Sequence, residues 1–209
     1  MKTTLAQMLR AGGVLGAFGL ACAAVLGGTW TLTADRIREA EQQRLLRQLE
    51  EVLPVGAYDN AVASDTLQVT SDALGPGTHT VYRARRDGEP VAAVLSAVAP
   101  DGYGGPIALL VGIAYDGRIT GVRVTAHKET PGLGDKIDLS RNDWILDFDG
   151  RSLLDPGPRD WAVKKDGGVF DQFAGATITP RAVVKAVHRS LQYFAEHRET
   201  LFAHAEETP

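Results

Sequence analysis

From Ala11 to Ala34 the chain carries no charged residue, and Arg10 and Asp35 bracket the run. Coiled as a helix at about 1.5 Å per residue it reaches roughly 36 Å, more than a hydrocarbon core of about 30 Å. Residues 11–34 are therefore expected to form one retained transmembrane anchor. Gly12, Gly13, Gly16, Gly19, Gly27 and Gly28 are tolerable there, because lipid offers the backbone no competing water. Trp30 sits near the far end, where an indole favours the interface. A cleaved signal peptide has a shorter apolar run and a small-x-small exit into polar chain. A lipoprotein signal ending at Cys22 is matched only imperfectly by Gly19-Leu20-Ala21-Cys22, and the chain stays apolar beyond it. Lys2 and Arg10 precede the span, and Arg36, Arg38, Arg44 and Arg47 follow it. Counting these bases would place the C-terminal side in the cytoplasm, but the rule weakens for long translocated domains and leaves orientation open.

The 209 residues are expected to hold one domain beyond that appendage, and a hydrophobic content of 44% suffices for a core. A net charge of −4 without a basic stripe argues against a nucleic-acid partner. Cys22 is the sole cysteine, which excludes an internal disulfide framework and cysteine-ligated zinc or iron–sulfur centres. His79, His127, His188, His197 and His204 show no metal-ligand spacing, and surface positions are expected for them.

Asp35 to Leu53 reads as an amphipathic helix, with Ile37, Leu45, Leu49 and Val52 at helical spacing and Pro54 as its stop. Residues 35–54 are expected to continue the anchor as a stalk. Residues 56–80 read as loop with one short strand. Val81–Arg86 and Val91–Val98, joined by Asp87-Gly88, read as a hairpin, and Ile107–Tyr115 and Ile119–Ala126 read as a second. Ile107-Ala108-Leu109-Leu110-Val111 is apolar throughout and is expected in a central strand. His127 to Ile137 is expected as a loop, Asn142 to Phe148 as a short helix or strand, and Trp161 to Lys164 as a strand. Pro180 to about Ala203 reads as a helix burying Val183, Val184, Val187, Leu191 and Phe194. The expected fold class is α+β: a single N-terminal transmembrane helix, then one domain with an antiparallel-rich sheet flanked by helices.

The informative stretch is Asp171-Gln-Phe-Ala-Gly-Ala-Thr-Ile-Thr-Pro180. It reads as a tight turn running into a helix, with Thr179 as the N-cap and Pro180 at the first helical position. Gly175 and Ala176 are small enough for their backbone N–H groups to approach a bulky ligand. A helix N-terminus favours a phosphate, and Thr177 presents a hydroxyl beside it. An ordinary capped helix accounts for most of the same residues.

This stretch resembles the flavinylation motif, Asp-x-x-Ser/Thr-Gly-Ala-Thr, of covalent FMN-binding domains. More broadly, the chain resembles the G subunits of Rnf/Rsx ion-translocating electron-transport complexes. The likeness takes in the anchor and stalk, Gly102-Tyr103-Gly104-Gly105-Pro106-Ile107, Glu129-Thr130-Pro131-Gly132-Leu133-Gly134, Trp161-Ala162-Val163-Lys164-Lys165 and Phe173 to Pro180. It covers nearly the whole chain. Ala174 stands where the family usually has Ser or Thr, a lost hydroxyl expected to weaken a contact or slow flavinylation.

The resemblance implies FMN joined through its phosphate to Thr177, which is a modified residue and not a catalytic one. A threonine hydroxyl is a poor nucleophile without activation, and the family uses a separate Mg-dependent flavin transferase that takes the FMN moiety from FAD. Gly175, Ala176 and Thr179 would adjoin the phosphate, and Asp171 would help the transferase recognise the site. Thr130, Leu133 and Gly134 would neighbour the flavin ring, with Glu129 close by. Lys164 or Lys165 would place a positive charge near it, or else form a solvated pair.

The resemblance further implies a bacterial inner-membrane electron carrier with the other members of a multi-subunit complex as partners. Residues 1–10 would be cytoplasmic and 55–209 a periplasmic FMN-binding domain. Two other readings share the motif or the turn. One is the C subunit of a sodium-translocating NADH:quinone oxidoreductase, and the other a non-redox module holding a phosphate ligand without a covalent bond.

Overall fold

The computed structural model describes residues 2–54 and 56–203, and of residues 2–9 the backbone alone; His204 lies outside the described residues. The chain divides into two units, residues 1–45 and 46–209.

The first unit is helical. Helix α1 runs from Lys2 to Val52 without interruption, so anchor and stalk share one 51-residue helix. No proline falls within it, and Pro54 stands just past its end. Its uncharged part exposes Leu15, Phe18, Leu20 and Leu26 and is long and apolar enough to cross a membrane. Thr29 and Thr33 turn their hydroxyls back onto the carbonyls of Val25 (2.8 Å) and Thr29 (2.7 Å). Each polar group is thereby satisfied within the helix, as a lipid environment requires.

The second unit is built on a five-stranded antiparallel meander. Its strands are β1 (Thr66–Thr70), β2 (Thr78–Arg86), β3 (Glu89–Ala99), β4 (Ile107–Ala114) and β5 (Ile119–Ala126), in sheet order β1-β2-β3-β4-β5. Both expected hairpins are present. The first turns at Asp87 (φ 52°) and Gly88 (φ 83°), two left-handed residues that match the twist of paired strands. The apolar run Ile107–Val111 lies in β4, paired on both sides, while the middle strand is β3. It is apolar throughout because both faces of the sheet are covered. Leu109, Val111 and Ile113 join the main core, and Leu110 is buried on the opposite face.

Helix α2 (Ile178–Phe202) packs on β3 and β4 and buries Val183, Val184, Val187, Leu191 and Phe194, the face expected from their spacing. On the other side of the sheet lie the last turns of α1, from Leu46 onward. Gly112 and Gly121 face each other across β4 and β5. A Cβ on Gly121 would come within 2.9 Å of the Val52 Cα, and one on Gly112 would strike the Val52 carbonyl. Neither glycine has a left-handed φ, so bareness and not conformational freedom is what the position requires. Gly121→Val should therefore cost about 1–3 kcal/mol through overpacking, despite valine's preference for strands. A lowered midpoint in thermal unfolding of the detergent-solubilised full chain checks this; an unchanged midpoint would show that the helix end readily moves away.

Two expectations are corrected. Trp161–Lys164 is not a strand: Val163 makes a single bridge to Phe170, and Lys164–Asp166 is a 3-10 turn. The chain reverses at Gly167 (φ 89°) and Gly168, where a Cβ would collide with the Ala162 carbonyl. Trp161 instead joins an aromatic cluster, 6.3 Å from Phe148 and 5.2 Å from Phe170. The histidines are not uniformly on the surface either. His79 is only 3% exposed, with Nε2 3.0 Å from the Gly75 carbonyl. His188 is partly buried flat against Trp161 at 5.1 Å, and burial pushes its pKa down. Among the described residues no group of acidic residues, histidines or cysteines forms a metal cluster.

Candidate functional site

Three segments converge at the N-terminal end of α2: the loop after β3 (residues 100–106), the loop after β5 (127–137), and the turn 173–177. Between them lies a cleft of about 310 Å³. Of the residues expected at the site, Glu129, Thr130, Leu133, Gly134, Gly175, Ala176, Thr177 and Thr179 line it. Residues up to 50 positions apart in the chain are thus brought onto one surface.

The loop after β5 is shaped by its own backbone. Gly132 takes a φ of 80°, and the Thr130 carbonyl accepts from the N–H groups of Leu133 and Gly134, each at 3.1 Å. Asp135 Oδ1 accepts from the Gly132 N–H at 2.8 Å and closes the turn. The turn 173–177 is equally local: Ala176 N–H donates to the Phe173 carbonyl at 3.0 Å, and Gly175 sits at φ 78°. Its floor is aromatic. Trp144 lies 5.2 Å from Phe173 and donates from Nε1 to the Asp171 carbonyl at 2.9 Å. Trp144 in turn belongs to the 3-10 helix Asp143–Phe148, whose first turn is capped by Asn142.

Glu129 ties the three segments together. It is 5% exposed. Oε1 accepts from the Gly104 N–H at 2.9 Å, and Oε2 accepts from the Thr179 hydroxyl at 2.5 Å. Its own N–H donates to His127 Nδ1 at 3.0 Å, and His127 Nε2 lies 2.9 Å from Asp138 Oδ2. The fit leaves no spare room. A Cβ on Gly134 would stand 2.7 Å from Glu129 Oε2 and 2.9 Å from Thr179 Oγ1.

Thr179 is not the N-cap. Helix α2 begins at Ile178, Thr177 occupies the cap position, and Thr179 is fully buried inside the first turn with its hydroxyl committed to Glu129. Pro180 consequently sits in the third helical position and not the first. It is tolerated there because the first turn's N–H groups have no intrahelical acceptor. Thr177 is half-buried, and its side chain makes no capping hydrogen bond. Its hydroxyl is therefore available at the cleft wall.

Asp171 and Lys164 do not line the cleft. They form an exposed pair with each other at 2.6 Å, and Lys165 is likewise absent from the cleft wall. The positive charge of Lys164 is thus neutralised by Asp171. Nearby, Asp147 has its pKa raised, first by burial and then by the charges of Asp171 and Asp143. Arg181 grips Asp166 through two nitrogens, at 2.6 and 2.9 Å, and that hydrogen bonding lowers the Asp166 pKa. Ala174 is exposed and also lies outside the cleft wall.

Two lining residues were not anticipated, Tyr103 and Ile178. Tyr103 is 70% exposed at the lip. It is carried there because Gly102 and Gly104 pack where no Cβ fits, against Glu129 and the Lys128 carbonyl. The pair of glycines around a tyrosine was the available signal. Ile178, exposed beside Thr177, offered none.

The cleft residues fit a flavin phosphate ester. A Cβ on Gly175 would meet only Leu133 Cδ2, at 3.9 Å, an unused hydroxyl stands beside it at Thr177, and Leu133 supplies an apolar wall. Comparison with known proteins points to FMN binding. Residues 102–192 match the FMN-binding domain family, and residues 1–52 match the RnfG N-terminal region. The G subunit of an ion-translocating oxidoreductase complex from Pseudomonas aeruginosa is 50% identical over 202 residues, 96% of this chain and 94% of that protein. The corresponding protein of Pseudoalteromonas atlantica is 48% identical over 196 residues, 93% and 91% of the two chains. That of Vibrio cholerae is 46% identical over 198 residues, 94% and 95%.

Proposed function

Because the chain belongs to the family of G subunits of ion-translocating oxidoreductase complexes, with an FMN-binding domain, we propose that it carries electrons within such a complex through FMN esterified to Thr177. The observation that carries this reading is the Thr177 hydroxyl, free of any capping role, in the wall of the cleft that the FMN-binding segment forms. The FMN ring supplies the redox chemistry when bound. The protein's part is to hold it: Gly175 and Ala176 beside the phosphate, Thr130, Leu133 and Gly134 toward the ring.

Attachment is a phosphoryl transfer. The bond from Thr177 Oγ to the FMN phosphorus forms as the FAD pyrophosphate bond breaks, AMP leaves, and the hydroxyl proton passes to a base. The Glu129 carboxylate is engaged by Gly104 and Thr179, so activation falls to a separate Mg-dependent flavin transferase. The exposed Asp171 is suited to recognition by that enzyme. Asp171→Asn should lower the initial rate of flavinylation several-fold while leaving Thr177 as the acceptor. Full-rate labelling of that variant would remove Asp171 from the recognition surface.

In this reading residues 1–10 are cytoplasmic, 11–34 cross the bacterial inner membrane, 35–54 form the stalk and 55–209 form the periplasmic domain. The other members of the complex supply and accept the electrons. The names of the relatives favour the G subunit over the C subunit of a sodium-translocating NADH:quinone oxidoreductase and over a non-redox phosphate-binding module. The test is the full chain coexpressed with a flavin transferase and run on a denaturing gel. A fluorescent band and an intact mass raised by one FMN moiety are expected; the bare polypeptide mass would overturn the proposal.

A further inference from the structure

Resting on that reading, we infer that Glu129 is a redox-positioning residue, a buried negative charge that holds the reduction potential of the bound flavin down. The charge is in the cleft wall, and what surrounds it is unusual. Glu129 is 5% exposed, yet its carboxylate meets only hydrogen-bond donors: the Gly104 N–H on one oxygen and the Thr179 hydroxyl on the other. Both oxygens accept, which is the pattern of an ionised carboxylate. Among the described residues no lysine or arginine makes an ion pair with it. Of the bases on its own loop, His127 lies against Asp138, and neither Lys128 nor Lys136 makes an ion pair with Glu129.

A buried carboxylate without a cation is costly unless hydrogen bonds offset it, as Gly104 and Thr179 do here, and this one stands in the cleft wall. Uptake of two electrons and one proton, the electrons coming from a reduced centre elsewhere in the complex, adds one negative charge to the ring. A like charge fixed in a poorly solvated wall disfavours that addition, because screening there is weak. The expected neutralising lysines are not in the cleft wall. The charge that faces the site is negative, and it acts against reduction.

Two substitutions separate charge from scaffolding. Glu129→Gln removes the charge but keeps an acceptor for Gly104 and a polar partner for Thr179, whose hydroxyl can rotate to accept. Thr179→Val keeps the carboxylate and removes a hydrogen bond that disperses its charge. The measurement is an anaerobic redox titration of the flavin absorbance in the detergent-solubilised full chain, coexpressed with a flavin transferase. Relative to wild type, Glu129→Gln should shift the midpoint potential upward and Thr179→Val should shift it downward. A loss of cleft shape alone would move both the same way, and that result, or two unmoved potentials, overturns the inference. If Glu129→Gln takes up little flavin, Thr179→Val decides, and a potential not below wild type rejects the role. A wild-type band without fluorescence rejects the covalent-flavin reading itself, and with it this inference.

Discussion

Thr177→Ala should yield full-length protein with no flavin fluorescence in its denatured band and no adduct in its intact mass. The loss is expected to be complete, because no other free hydroxyl stands on the turn into α2, and Thr130 and Tyr103 reach the cleft from other loops. Thr179, two residues on, is fully buried and donates to Glu129. Position 174, three residues back, is an exposed alanine outside the cleft wall. The protein should remain folded. Thr177 makes no capping hydrogen bond and is half-buried, so the change should lie within about 0.5 kcal/mol, as for substitutions away from special features. Thr177→Ser should restore labelling, since the reaction needs the oxygen and not the methyl group. A fluorescent Thr177→Ala band, or a peptide map placing the adduct elsewhere, would refute the assignment.

Phe148→Ala should be the most damaging single change to stability, at about 3–5 kcal/mol. Phe148 is 0% exposed and stands at the centre of the aromatic cluster. Its ring lies 4.6 Å from Phe170, 5.4 Å from Trp144 and 6.3 Å from Trp161. Removing it opens a cavity that these rigid rings cannot close. For a unit of this size the thermal midpoint should fall by roughly 6–20 °C. The damage should also reach the site. Trp144 holds both Phe173 and the Asp171 carbonyl, and the turn to Thr177 starts at Phe173. Flavinylation near the lowered midpoint should therefore fall faster than in wild type. Calorimetry with gel fluorescence at several temperatures reads both effects; a midpoint within about 2–3 °C of wild type, on the order of 1 kcal/mol, would show that the cluster collapses readily around the gap.

Much of this was legible in the residues because the signals were local. An uncharged stretch of 24 residues allows little besides a membrane helix. Asp87-Gly88 supplies left-handed angles that few other pairs adopt, so the first hairpin could be placed before its strands were seen. The spacing of Val183, Val184, Val187, Leu191 and Phe194 described one helical face, and those residues are buried as a set. Eight expected cleft residues also came together, but mainly through a family likeness that pointed to two separate segments. Periodicity alone would not have joined them.

Other features depended on partners remote in the chain. Thr179 followed by Pro180 satisfies the local rule for a helix start, yet a carboxylate 50 residues away took its hydroxyl and left the cap position to Thr177. Trp161 to Lys164 has the composition of a strand. No neighbouring strand offers it a ladder, so the tryptophan packs in the aromatic cluster. Lys164 or Lys165 reads equally as a charge for the ring or as part of a solvated pair; Lys164 pairs with Asp171, and neither lysine is in the cleft wall.

The amino-acid order alone settled the membrane helix, the two hairpins and the last helix, because each follows from preferences within a few consecutive residues. Which side chains share the cleft, which charge faces it and which hydroxyl stays free were decided only by folding, because burial and hydrogen-bond partnership belong to groups that meet in space.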